Sequence, residues 1–143
     1  MGMKISTGFQ NGALAVGSVK SLLTGLVIKI YSGTEPATAN DSLGAAVKLV
    51  DCVPAGIAWE ANAVGGVLQK DANQVWDGTV AVAGNATFVR IETAADTGGF
   101  STTAVRLQGD VGIIGRFLNL SNTELLVGVP VRIDYGALAF PSE

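Results

Sequence analysis

The sequence predicts an all-β fold, an antiparallel β-sandwich or jelly-roll-like barrel with at most one short helix. Two observations carry this expectation: several segments alternate apolar and polar residues at period two, and turn sequences containing Gly or Asn recur between them. A third is length, because 143 residues suit one domain. A chain of that size buries about 68% of its extended surface and needs no disulfide to hold a core.

Residues 1–17 are rich in Gly and in small or polar side chains and keep no sustained period. They are expected to form an extended N-terminal arm, leaving residues 18–143 as a single β-sandwich domain. The one helix candidate covers residues 18–23, where Val19, Leu22 and Leu23 share a face before Gly25 ends it. Residues 26–31 and 47–53 are almost continuously apolar, as expected of strands covered on both faces.

In residues 87–92 the alternation points Val89 and Ile91 inward and Arg90 and Glu92 outward. Phe88 then falls on the outer face, against a second layer or a partner. Residues 105–111 make the clearest strand, with Val105, Leu107 and Val111 on one face and Arg106, Gln108 and Asp110 on the other. Residues 127–135 repeat the logic with Val127, Val129, Val131, Ile133 and Tyr135, and Pro130 calls for an edge position or an unpaired start because it has no N–H to donate. Turns are expected at 32–36, 77–78, 84–85, 96–99 and 121–123, and a short tail at 140–143.

Composition excludes several chemistries. With no His, neither a Ser-His-Asp nor a Cys-His catalytic arrangement is available, nor a zinc site built on imidazole. The single Cys52, set among apolar residues, is expected to be buried. Nine Lys and Arg against twelve Asp and Glu give a net charge of −3, and the basic residues are scattered singly, so no nucleic-acid partner is expected. No apolar run approaches the ~20 residues needed to span a bilayer, so no membrane partner is expected either. What stands out is an apolar share of 48% against 15% charged. Such a surplus serves either a dense core or contacts between subunits.

No residue is assigned a catalytic, cofactor-binding or metal-ligating role, and the protein is not expected to be an enzyme. Asp51 lies among Leu49, Val50, Cys52 and Val53 and is read as an acid at a strand end or paired with a Lys. Residues 71–78 carry oxygen ligands at calcium-loop-like spacing but lack the sixth-position Gly and the twelfth-position Glu, where Val82 stands. Gly2 with Ser6 fits an acylation pattern, and Asn40, Asn85 and Asn119 head glycosylation sequons, in segments where such residues serve turns anyway.

The candidate interface residues are Trp59, Trp76, Phe88, Phe100, Ile113, Ile114 and Phe117. The two Trp, Phe100 and Phe117 stand near turns or segment ends, suited to interface anchoring, to stacking on sugars, or to a core edge. Ile113, Ile114 and Phe117 follow the clear strand and break its alternation, as either a buried continuation or an apolar contact patch.

Residues 26–41 run from the apolar Leu26-Val27-Ile28 through Tyr31-Ser32-Gly33 into Thr34-Glu35-Pro36-Ala37-Thr38-Ala39. This stretch resembles a motif in small virion proteins of tailed bacteriophages, where an apolar strand ending in IYSG or IYDG runs into TxPATA. Residues 87–91, and residues 118–123 leading into 128–133, look similar to the same group. Physically the motif is a strand exit: Gly33 permits positive φ, and Pro36 fixes its own φ and keeps Glu35 extended. The resemblance implies a capsid decoration or cement protein located in the virion, a homo-oligomer docking on the major capsid protein or a tail protein, with no cofactor. The alternative is a carbohydrate or host-receptor binding module of a phage tail, resting on Trp59 and Trp76.

Overall fold

The structure, a computed structural model, describes residues 2–139, so the tail expected at 140–143 lies outside the described residues. It is all-β in class. The strands are β1 (Met3–Ile5), β2 (Val27–Ser32), β3 (Val47–Cys52), β4 (Val67–Gln69), β5 (Trp76–Thr79), β6 (Gly84–Asn85), β7 (Phe88–Glu92), β8 (Leu107–Gly112), β9 (Leu118–Asn119), β10 (Glu124–Leu125), β11 (Pro130–Ile133) and β12 (Ala137–Ala139). The helices are α1 (Thr7–Ala15) and α2 (Val19–Leu23).

One six-stranded sheet dominates, in the order β1-β8-β7-β2-β3, with β9 running parallel to β8. The pairs along β1-β8-β7-β2-β3 are antiparallel. Three two-stranded ribbons, β10-β6, β11-β5 and β12-β4, accompany it, and among the described residues no barrel closes. The register aligns Ile28 with Cys52 and Ile91, Ile30 with Val50 and Val89, and Ile91 with Leu107. This face of the sheet is apolar and packs with Trp59, Trp76, Val80, Leu125, Val131 and Ile133 in one buried cluster. The β5-β11 ribbon is tied directly to β3, through Val53 N–H to Asp77 O and Ala81 N–H to Leu49 O, both at 2.9 Å.

The N-terminal segment is not an extended arm. β1 pairs in register with β8, and α1 is capped by Ser6, whose Oγ accepts the Phe9 N–H. Ser6 is fully buried: its Oγ donates to Ala104 O and accepts the Arg106 N–H. Gly8 lets the helix lie against the backbone, since a Cβ there would sit 2.3 Å from Thr103 O. α2 forms where expected, capped by Ser18, with Leu23 in the core and Gly25 at positive φ beyond it.

Two further differences concern turns. Asp77-Gly78 lies within β5 and Gly84-Asn85 forms β6, because each supplies backbone to a ribbon, opposite β11 and β10 respectively. Likewise only residues 130–133 of the expected 127–135 strand pair, so Val131 and Ile133 are buried while Val127, Val129 and Tyr135 are exposed. Pro130 is the first residue of its strand, as its missing donor requires.

Candidate interaction surface

The second face of the large sheet carries Lys29, Tyr31, Phe88, Arg90, Glu92, Gln108 and Asp110, and all of them are buried. Two long segments cover it: residues 33–46, between β2 and β3, and residues 93–106, between β7 and β8. Burying charge is costly unless each group finds partners, so the contacts explain why both straps lie flat. Arg90 gives its Nε to Gln108 Oε1 at 2.8 Å and its Nη2 to Asp41 O at 2.6 Å. Gln108 Nε2 donates to Pro36 O at 2.9 Å, and Lys4 pairs with Glu35 at 2.9 Å. The 26–41 stretch singled out in the sequence therefore spans β2 and the start of the first strap, which is held at Glu35, Pro36 and Asp41.

The second strap is fastened by Asp96. Arg106 Nε lies 2.7 Å from Asp96 Oδ2 and Nη2 lies 2.8 Å from Oδ1, while Nη2 also donates to Gly99 O. Lys29 Nζ donates to Thr93 O and Asp96 O, both at 2.9 Å. Burial works to raise Asp96, but the bonds from Arg106 and the Gly98 N–H hold its carboxyl well below the usual carboxylate range. The Asp96 hydrogen bond in turn raises Arg106. Burial, with Arg106 alongside, lowers Arg90, and burial beside Glu92 raises Tyr31.

Of the seven candidate interface residues, three face inward, against the expectation that they meet a partner. Phe88 is fully buried on the second face of the sheet and stacks on Tyr31, ring centroids 5.0 Å apart and 10° from parallel. It meets the second layer, not a partner. Trp59 and Trp76, 9% and 3% exposed, pack edge to face in the apolar core at 5.2 Å. Trp76 opens β5 and Trp59 forms an isolated bridge with Lys70, so paired backbone carries both rings inward.

Phe117 is half-buried over Gly109, where any Cβ would meet its ring at 2.3 Å. It anchors the turn that lifts Ile113 and Ile114, 65% and 84% exposed, off the end of β8. The turn is braced by Asp110, which accepts the Phe117 N–H at 2.9 Å and pairs with Arg116 at 3.2 Å. The Phe117 bond, reinforced by the Gly2 N–H and Arg116 and opposed by burial, lowers Asp110 to about 2. Beside the turn a shallow concavity of about 520 Å³ runs to Asn85 and Thr123 of the β6-β10 region.

Strand direction decides what joins this patch. β2 and β8 leave the sheet at the same end where β3 and β7 begin, so exposed Val47 at the start of β3 lies at the end occupied by Ile113 and Ile114. Val82, whose N–H reaches Leu49 O, and the exposed Leu126, Val127 and Val129, tied to Val80, extend the apolar surface alongside β3. The run Leu126-Val127-Gly128-Val129 just ahead of Pro130 was the sequence signal for this extension, masked by its resemblance to a strand face. Phe100, 69% exposed, stands apart on the second strap at the opposite end.

Asp51 pairs with Lys48 at 3.1 Å, as expected of an acid near a strand end. Cys52 is buried, and burial pushes its thiol up to about 12. Residues 71–74 form a local turn in which Asp71 Oδ1 accepts the Asn73 N–H. Among the described residues no cluster of three or more acidic or Cys side chains forms, and no helix is long and apolar enough to cross a membrane. No protein-family model, curated protein or solved structure matches the chain.

Proposed function

We propose that this chain is a structural protein of a tailed-phage virion, a decoration or cement protein that oligomerises and docks on the major capsid protein or a tail protein. The observation that carries the reading is the apolar end of the sheet, where Ile113 and Ile114 are held out to solvent by a turn anchored through Phe117 and Asp110. Exposed apolar side chains on a turn that is already anchored suit association, because the turn has little backbone freedom left to lose on binding. The strap motif adds the resemblance to small virion proteins.

Cementing needs only modest affinity per site. A ligand that binds the assembled lattice and not its parts stabilises it by about 2.7 kcal/mol per site at a hundred times the dissociation constant. The test is co-sedimentation of the purified chain with phage heads and tails, together with its mass in solution at rising concentration. Saturable binding to particles supports the reading. A monomer at high concentration that ignores both heads and tails overturns it. The glycan-binding alternative loses its motive, since both Trp rings lie inside the core.

A further inference from the structure

Glu92 is the last residue of β7, and its side chain is fully buried under the second strap. The groups that face it come from every neighbouring element. β2 contributes Lys29, with Nζ 3.5 Å from Oε1, and Tyr31, whose hydroxyl donates to Oε1 over 3.3 Å. Arg90 lies on the same strand, two residues before Glu92. Arg106, just ahead of β8, brings Nε to 3.3 Å from Oε2, and the strap brings Asp96, whose Oδ2 lies 2.7 Å from the same Nε, so the two carboxylates share one guanidinium nitrogen. The first strap offers Arg90 and Arg106 only backbone oxygens here.

Three cations lie near Glu92, yet the hydrogen bonds they make go elsewhere, and Arg90 Nη1, also buried, makes none. Lys29 points hydrogens at Thr93 O and Asp96 O, Arg106 directs its short bonds to Asp96, and Arg90 serves Gln108 and Asp41 O. Glu92 Oε2 therefore receives no hydrogen bond at all. A fully buried carboxylate whose two ion pairs stand at 3.3 and 3.5 Å without hydrogen bonds, whose one bond is a long one from a neutral hydroxyl, and which shares Arg106 Nε with a second carboxylate is in an unfavourable state. One proton resolves both problems, because it turns the orphan acceptor into a donor and removes the like-charge contact.

We propose that Glu92 is protonated in the folded chain, that its Oε2–H donates to the carboxylate of Asp96, and that loss of this proton to solvent loosens the 93–106 strap. Glu92 belongs to the sheet and Asp96 to the strap, so repulsion between the two ionised groups falls on the joint between layers. Burial, with Asp96 alongside, pushes Glu92 up to about 7, in the same sense. The inference is independent of what the apolar end binds.

The experiment is a carbon-detected NMR titration of the chain labelled at glutamate side-chain carboxyls, with hydrogen exchange followed at strap amides over the same pH range. There are five glutamates, and Glu92→Gln assigns the one of interest. The expected result is one glutamate titrating far above the ordinary value of about 4.3. Between that ordinary value and the raised midpoint, strap protection, corrected for intrinsic exchange, should fall by up to about tenfold per pH unit and level off above the midpoint. Glu92→Gln, neutral at every pH, should keep the strap closed and remove that dependence. The proposal is overturned if every glutamate titrates in the ordinary range, or if strap protection ignores pH in the unmodified chain. Should the variant fail to fold, the titration of the unmodified chain decides alone.

Discussion

Arg106 and Asp96 meet through two short bonds, at 2.7 and 2.8 Å, with the guanidinium almost wholly out of solvent. The pair joins the sheet to its cover. Removing one partner of a buried ion pair leaves the other charged and uncompensated, which costs about 3–5 kcal/mol. Asp96→Ala should lower the stability measured by urea denaturation by that amount, and a loss under about 1 kcal/mol, the range of exposed pairs, would show the pair to be solvated.

Phe88→Ala should also be severe. The ring is fully buried and stacked on Tyr31, so truncation opens a cavity, at about 3–5 kcal/mol. Phe88→Leu, which keeps most of the volume, should cost markedly less. Thermal and urea melting of both variants checks the order.

Substitutions at the apolar end should separate folding from association. Ile113→Asp with Ile114→Asp removes exposed side chains, and surface changes of this kind alter stability by no more than about 0.5 kcal/mol. Particle binding and self-association should nevertheless fall away in co-sedimentation. Retained binding would move the contact surface to another part of the molecule.

Stability should pass through a maximum on the acid side of neutrality. Asp110, lowered to about 2, and Asp96, also held low, contribute stability that is complete above their ordinary values and lost as the pH falls through their folded ones. Glu92, raised to about 7, acts in the opposite sense: its contribution is complete below its ordinary value and lost as the pH rises through 7. The optimum should therefore lie at about pH 4–5, read as the urea midpoint across pH. In Glu92→Gln the decline toward alkaline pH should disappear while the acid limb remains.

The strands of the large sheet were legible because their apolar face obeys a period of two, and Val89, Ile91 and Leu107 fall where alternation puts them. The opposite face was not. Arg90, Glu92, Arg106 and Gln108 look like solvated residues, and only the straps convert them into buried ones. Pairings such as Arg106 with Asp96 or Arg90 with Asp41 O depend on how two turn-rich segments fold back, for which no periodicity gives a signal. α1 was missed for a different reason. Its buried side is Gly8, Phe9 and Gly12, so close backbone approach replaces an apolar stripe, and Gly is a poor helix former. At the candidate surface, Ile113 and Ile114 announced themselves by breaking a strand pattern, whereas Trp59 and Trp76 misled because aromatic size says nothing about direction.

The pairing of β1 with β8 has a temporal side. Met3 and Ile5 find their strand partners at Gly109 and Leu107, so a ribosome must deliver most of the polypeptide before its first residues can settle. Until then the outer edge of the growing sheet stays open, and closure over so long a stretch is slow. β1 thus settles only after β8 has emerged, and damage at either of these two distant places should weaken the same strand joint.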